Sequence, residues 1–408
     1  MANVVLINGA GPKAFCAGGD VAALAQQNTE GPSGIAASQA YFGLEYQLDH
    51  IIATYPKPYI AYMDGITMGG GVGLSVHAPI RIATEKTLFA MPETTIGFFP
   101  DVGGSFFLPR LDGRIGTYLA LTSSRLAGVN AFYAGIATHY IDSATLPSLT
   151  ARLAELTFKD YESLSQRLST IDATIAEFDP GLPPNEPILL AHDLRAAIDR
   201  CFRHSTIETI ISALERESQR PITSAFDNHT WAKQTLQTLS ERSPTSLRVA
   251  LRQMHDGRAW SISETFQREY HLAGAFMAHP DFTTGVSARL IHKPPTTPVW
   301  APKTLAEVSD AAIDEMFEPK ERRLQLLHSE ERAYVDYPFN MGLPREEEVE
   351  MVVREGGMTV EGVVKGFLRR RRGRGVEGKV REVLERCTRG EGALVWVGEE
   401  GREGVERE

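Results

Sequence analysis

Two carboxylates, Glu93 and Asp101, stand in the stretch Met91-Pro-Glu-Thr-Thr-Ile-Gly-Phe-Phe-Pro-Asp-Val-Gly-Gly104, whose other members are apolar residues, glycines, prolines and two threonines. Apolar surroundings disfavour the charged form of a carboxyl and raise its pKa, which suits general acid/base work near neutrality. Facing solvent, the same acids would be ordinary loop charges. Two glycine clusters offer a complementary chemistry. Phe15-Cys-Ala-Gly18-Gly19-Asp20 has adjacent residues without Cβ atoms, so the backbone can approach a ligand and present an N–H to it. Met68-Gly69-Gly70-Gly71 precedes an apolar, helix-suited segment from Val72 to Val76. A helix start there leaves unpaired N–H groups and a dipole that favour a developing oxyanion. The plain alternative for each cluster is a tight turn.

Other suggestive patterns in this region are incomplete. Gly71-Val-Gly73 begins a dinucleotide-binding GxGxxG element, but Val76 holds its last position. Gly73 and Ser75 begin a Gly-x-Ser-x-Gly nucleophile elbow, yet His77 stands where the second glycine belongs. Ser75 and His77 are two apart on a presumed helix and point to different faces, so both read as packing residues rather than a hydrolytic dyad.

The elements that must position these groups alternate in type. Residues 2–8 are β-rich and apolar like a strand buried on both faces, and Tyr59 to Met63 and Ile80 to Ala83 repeat the pattern. With helical segments between them they predict a mainly parallel α/β core over residues 1–150, where ligands gather at strand C-terminal ends and helix N-termini. From 151 to 345 apolar residues recur at helical spacing, as in Leu149, Leu153 and Leu156 or the segment Ser246 to Met254, predicting a helical part. Residues 346–408 turn to Glu, Arg and Gly, with Arg369-Arg-Arg-Arg372-Gly-Arg374 and a closing Gly-Glu-Glu-Gly-Arg-Glu-Gly run. Such composition predicts a flexible tail.

The whole chain of 408 residues is 42% hydrophobic with a formal charge of −10, ordinary globular material whose net field gives nucleic acid little reason to bind. Cys16, Cys201 and Cys387 are odd in number, far apart and without CxxC spacing, which argues against a disulfide framework or zinc site. No apolar run approaches the roughly 18 residues of a membrane span.

Taken in order, Phe15–Asp20, Lys57–His77, Thr84–Leu111 and Gly135–Asp142 resemble the enoyl-CoA hydratase/isomerase (crotonase) superfamily. The strings Asp64-Gly-Ile-Thr-Met-Gly-Gly-Gly-Val-Gly-Leu-Ser-Val-His77 and Ala90 to Gly104 are similar to its 3-hydroxyisobutyryl-CoA hydrolase branch in particular. So are Ser243-Pro-Thr-Ser-Leu-Arg-Val, Glu269-Tyr and His279-Pro-Asp-Phe-Thr-Thr-Gly-Val. The likeness runs over roughly residues 1–345. It implies an α/β crotonase-like ββα-superhelix core followed by a helical region. It also implies an acyl-CoA thioesterase acting on 3-hydroxyisobutyryl-CoA, and on 3-hydroxypropionyl-CoA, in valine catabolism. The family's two oxyanion-hole N–H groups map onto Gly19 and Gly70, and its catalytic acids onto Glu93 and Asp101. Glu45 matches a further substrate-contacting acid near the acyl hydroxyl.

Hydratases carry a catalytic carboxylate at the position of Gly73, so the resemblance speaks against water addition to an enoyl-CoA. Members also have an earlier β-hairpin and an Arg-Pro-x-x-x-Asn-Ala-type segment without counterpart here, so the chain is expected to begin inside the domain. The resemblance implies no metal and no cofactor beyond the CoA of the substrate. It suggests mitochondrial localisation and a partner list of acyl-CoA, with no DNA and no membrane, and it accommodates a homo-oligomer. Fungal relatives are components of the mitochondrial small ribosomal subunit, and the Arg369–Arg374 segment gives that alternative a charged surface for RNA phosphates.

Overall fold

A computed structural model of the chain describes residues 3–179, 181–222, 226–318, 323–371, 373–390 and 392–398. Its first part winds strand pairs and helices in turn: β1 Val5–Ile7, β2 Ala14–Cys16, α1 Val21–Asn28, α2 Pro32–Ala53, β3 Tyr59–Met63, β4 Ile66–Met68, α3 Gly70–Val76, β5 Ile80–Ala83, β6 Leu88–Ala90. There follow α4 Gly104–Phe107, α5 Ile115–Thr122, β7 Leu126–Ala127, α6 Val129–Tyr133 and β8 His139–Tyr140. Each strand pair contributes one strand to each of two sheets. One sheet runs β1-β3-β5-β8, all parallel; the other runs β2-β4-β6-β7, parallel except for the antiparallel β6–β7 edge. This is the ββα winding expected from the resemblance.

Sequence patterning foresaw β1, β3 and β5 of the first sheet and missed its β8 and the whole of the second. All five residues of β3 are buried, as a strand covered on both faces requires. Tyr59 and Ala61 pack with Ile52 and Ala78, whereas Ile60 and Tyr62 pack with Leu149, Leu153, Leu168 and Ile171. Two-residue periodicity is present in space but invisible in a run that is apolar throughout. The second sheet's strands are two or three residues long, too short to show a period.

The helical part begins with α7 Leu146–Ala154, α8 Leu164–Ala176, α9 His192–Phe202, α10 Ile207–Glu217 and α11 Asn228–Ser240. It continues through α12 Pro244–Asp256, α13 Ile262–Ala278, α14 Pro280–Val286 and α15 Asp310–Phe317. It shares one apolar cluster with the α/β part, in which Phe98, Phe99 and Phe106 meet Phe266, Phe276 and Phe282. The longest interface is α13 laid along α2, the two helices that carry Glu269 and Glu45. Among the described residues no helix is long and apolar enough to cross a membrane.

The expectation of a flexible tail from residue 346 is corrected. The segment forms α16 Glu346–Arg354, α17 Val360–Arg370 and α18 Val376–Cys387, followed by the β9 Thr388–Arg389 and β10 Val395–Trp396 ribbon. Val349, Val353, Val363, Val364, Phe367, Val380, Val383 and Leu384 are buried in the main cluster. High charge content hid this apolar stripe, because the charges lie on other faces or in buried ion pairs. The closing run from Glu399 onward, and Arg372, lie outside the described residues.

Candidate active site

Parallel pairing of β2 with β4, Ala14 opposite Ile66 and Cys16 opposite Thr67, ends two neighbouring strands beside each other. The turns after them are the two glycine clusters, and they meet: a Cβ built on Gly18 would lie 3.6 Å from the Gly70 nitrogen and 3.8 Å from the Gly69 Cα. Gly70 opens α3, so its N–H falls in the first turn, where a helix supplies no acceptor. Gly19 stands in the turn before α1, whose first turn is capped by Asp20 accepting from the Ala23 N–H at 3.0 Å.

Against these turns lies one stripe of α2. Tyr41, Glu45 and Asp49 recur every four residues and so share a helix face. The Tyr41 hydroxyl occupies the space a side chain on Gly19 would need, and a Glu45 oxygen does the same at Gly70. At Gly73 a Cβ would fall 2.6 and 2.7 Å from the two Asp49 oxygens. The three glycines are thus explained by close approach of α2 side chains to the backbone.

The acids of the Met91–Gly104 stretch come to the same place. Glu93 opens a 3₁₀ turn, Glu93–Ile96, directly after β6. It is buried, its Oε1 lies 3.7 Å from where a Cβ on Gly69 would stand, and its Oε2 has no hydrogen-bond partner among the described residues. Asp101 is buried and accepts a hydrogen bond of 2.8 Å from the Tyr46 hydroxyl on α2. Burial, with added repulsion from Glu45 and Glu269, pushes Glu93 up to about 8 against a weaker pull from a backbone N–H. Burial pushes Glu45 up to about 7. Asp101 is held well above the ordinary carboxyl range by burial and by Glu45, Glu93 and Glu269, with the Tyr46 hydrogen bond acting the other way. No cation is among the causes acting on these three acids.

The loop carrying Asp101 is strained and braced. Val102, a β-branched residue, has φ +52°, and Gly103 has φ +84°. His77 Nε2 donates to the Val102 carbonyl at 2.9 Å. The Gly103 and Ser105 N–H groups donate to Glu269 Oε2 and Oε1 at 2.7 and 2.9 Å, and the Ser105 hydroxyl donates to Oε1 at 2.7 Å. Gln253 Nε2 donates to that hydroxyl at 2.7 Å. Burial lowers His77 to about 4, so near neutrality it is an uncharged strut. Ser75 donates to the Gly71 carbonyl at 2.9 Å. The pair therefore braces and packs, and neither residue reaches the other.

Structure thus brings together the residues singled out from sequence: Gly19, Gly70, Glu45, Glu93 and Asp101. It adds Tyr41, Tyr46, Asp49, Gln253 and Glu269. The four-residue spacing of 41, 45 and 49 was available as a signal; nothing in sequence ties Glu269 to a loop 164 to 166 residues away. Among the described residues no group of three or more His, Cys, Asp or Glu side chains is arranged to hold a metal ion. Chemically, two glycine turns meeting beside acids with raised pKa values can polarise a carbonyl and move protons at it.

Comparison with known proteins gives this arrangement a family context. The family described as Enoyl-CoA hydratase/isomerase matches residues 1–317. The chain is 53% identical over 393 residues to the small ribosomal subunit protein mS47 of Neurospora crassa, covering 95% of this chain and 77% of that protein. It is 44% identical over 321 residues to the mitochondrial 3-hydroxyisobutyryl-CoA hydrolase of Danio rerio, covering 79% of each. A solved carnitinyl-CoA dehydratase from Mycobacterium thermoresistibile superposes with a TM-score of 0.67 at 32% identity, covering 80% of this chain and 86% of that one.

Proposed function

Because this chain belongs to the enoyl-CoA hydratase/isomerase family, we propose that it is a mitochondrial acyl-CoA hydrolase that splits the thioester of 3-hydroxyisobutyryl-CoA, and also of 3-hydroxypropionyl-CoA, into free acid and CoA. The observation that carries this reading is the convergence of the Gly18–Gly19 and Gly69–Gly70 turns with Glu93 and Asp101. In it the thioester oxygen is held by the Gly19 and Gly70 N–H groups, which stabilise charge as the carbonyl carbon is attacked. Glu93, in its ionised form, attacks that carbon itself or takes a proton from the attacking water. As the carbon–sulfur bond breaks, Asp101 supplies the proton that the departing thiolate accepts. In the covalent route water then opens the Glu93 anhydride, its hydroxyl joining the acyl carbon and its proton passing to the Asp101 carboxylate, which releases the free acid and restores both side chains. No metal or redox cofactor enters this scheme. A hydratase reading is disfavoured, because glycine stands at position 73, where hydratases of this family carry a catalytic carboxylate.

Thiol release from 3-hydroxyisobutyryl-CoA by the purified full chain tests the proposal. Turnover that is absent for both 3-hydroxyacyl thioesters overturns it.

One observation favours a second reading, assembly into a mitochondrial small ribosomal subunit. The family match ends at residue 317, whereas a match over 95% of the chain to the ribosomal relative takes in most of the residues beyond that point. The C-terminal helices are therefore shared with that relative. Co-sedimentation of the full chain with small mitochondrial subunits at moderate salt is the expected result; a wholly free protein disposes of it. The two readings are compatible, since none of the residues assigned to the chemistry, Gly19, Gly70, Glu93 and Asp101, lies on these helices.

A further inference from the structure

Among the acids of the site Asp49 has both carboxyl oxygens buried without a hydrogen-bond partner among the described residues, whereas Glu93 has one such oxygen. Asp49 is 0% exposed. Asp101 has Tyr46, and Glu269 has three donors. Leaving a buried polar group unpaired is costly, and a polar group retained at such a cost asks for a partner that arrives from outside. The place from which one can arrive is set by geometry. Asp49 lies on the Gly73 backbone, and Glu45, one turn earlier on the same face of α2, lies on Gly70. Gly70 and Gly73 are about one helical turn apart on α3, an axial rise of about 4.5 Å. A hydroxyl on the third carbon of an acyl chain stands about 3 to 4 Å from its carbonyl carbon by ordinary bond lengths. A thioester whose carbonyl is held at Gly70 therefore has the reach to set its 3-hydroxyl beside Gly73 and the Asp49 carboxyl that lies on it.

Resting on the hydrolase reading of this site, we propose that Asp49 is a specificity-determining residue, its carboxyl being the hydrogen-bond partner of the 3-hydroxyl of the acyl group. Burial together with Glu45 and Glu269 holds Asp49 well above the usual carboxylate range. It therefore meets the ligand as a neutral acid able both to donate to the hydroxyl and to accept from it. Selection arises from the same physics: an acyl chain lacking the hydroxyl leaves the buried carboxyl unanswered. Glu45, which lies on Gly70 one turn earlier on the same face of α2, flanks the same hydroxyl.

The test compares kcat/KM for 3-hydroxyisobutyryl-CoA with that for isobutyryl-CoA in the full chain, in Asp49→Leu, which keeps the branched shape and removes the polar atoms, and in Asp49→Asn, which keeps a donor and an acceptor. The preference for the hydroxylated thioester should fall by about tenfold to a hundredfold in Asp49→Leu and stay within about threefold of the parent in Asp49→Asn. If Asp49→Leu does not fold, Asp49→Ala reads the same ratio. A ratio unchanged on removing the carboxyl overturns the proposal and leaves the hydrolase reading standing. Titration calorimetry with the two thioesters separates the converse case. Tighter binding of the hydroxylated thioester, lost in Asp49→Leu, without any CoA release, keeps Asp49 in its role and removes hydrolysis. Equal binding of both thioesters by the parent, with no release, removes both.

Discussion

Two regions of this molecule bury several carboxyls each, and they treat them in opposite ways. Around the glycine turns stand Glu45, Asp49, Glu93, Asp101 and Glu269, and burial pushes all five upward. Beneath the C-terminal helices the acids are matched with cations. Arg195 pairs with Asp199 at 2.6 Å and Glu346 at 2.9 Å; Arg386 pairs with Glu346 at 2.6 Å and Glu382 at 3.0 Å; Lys379 pairs with Asp112 at 2.8 Å. There Asp112 is drawn down to about 2, because Lys379 and Arg195 outweigh the burial that opposes them, and Glu346 is lowered by Arg195 and Arg386 in the same way. Depth is common to both regions, so depth does not decide the protonation state. What decides it is whether a cation was placed within reach. The first region keeps protons available for chemistry, and the second fastens α9, α16 and α18 together.

Removing charge from the chemical region puts this contrast to its hardest test. Glu93→Gln should lower kcat for CoA release by about a thousandfold or more while circular dichroism and thermal melting report an intact fold. Near-normal release would take Glu93 out of the mechanism. In the fastened region the expected loss is of stability. Arg386→Met strips Glu346 and Glu382 of a buried partner and should cost about 3–5 kcal/mol of unfolding free energy in denaturant titration. A loss of less than about 1 kcal/mol would mean that the network is dispensable.

Opposite pKa directions also predict opposite stability profiles. Glu93 has a folded pKa raised from 4.5 to about 8. Its contribution to stability is therefore fully present below about 4.5 and is lost as pH rises toward 8. Glu93→Gln should gain on the parent across that interval by up to a few kcal/mol, and an equal gain at pH 4.5 and pH 8 would contradict the raised value. Asp112, lowered from 3.8 to about 2, gives stability that is present above about 4 and lost as pH falls to about 2. Asp112→Asn should therefore be weaker than the parent at pH 6 and close to it at pH 2.

Smaller effects are expected around the Asp101 loop. Glu269→Gln keeps one acceptor but cannot hold both Gly103 and Ser105, so the loop loosens. We expect kcat to fall about tenfold to a hundredfold with KM little moved, and a pure loss of stability would make Glu269 structural only. Tyr46→Phe removes a single hydrogen bond to Asp101, which should cost about 0.5–1.5 kcal/mol. It should also move the Asp101-dependent limb of the pH–rate profile to higher pH, because that bond lowers the Asp101 pKa. A limb moving the other way would separate Asp101 from the profile.

Residue types marked the candidates, each with a plain alternative as a loop charge or a tight turn, and the family resemblance chose among them and added Glu45. Glu93 and Asp101 stand out because an apolar loop has little reason to hold acids, and Gly18–Gly19 and Gly69–Gly71 because turn chemistry before a helix exposes N–H groups. The strands Tyr59–Met63 and Ile80–Ala83 were equally plain from their apolar runs. The second sheet was not, since strands of two or three residues carry no period. The C-terminal helices were hidden for a different reason: Arg386, Lys379 and Glu346 read as solvent-seeking residues until each is seen beside its buried partner.

Residue order alone therefore set which local conformations the chain can take and which side chains could carry protons, because backbone propensity and side-chain chemistry are properties of single residues and near neighbours. It took the folded arrangement to make some buried acids neutral and others charged, to lay Tyr41, Glu45 and Asp49 on Gly19, Gly70 and Gly73, and to bring Glu269 under the loop of Asp101. Those outcomes depend on desolvation and through-space fields, and the atoms that generate them come from elements far apart in the chain.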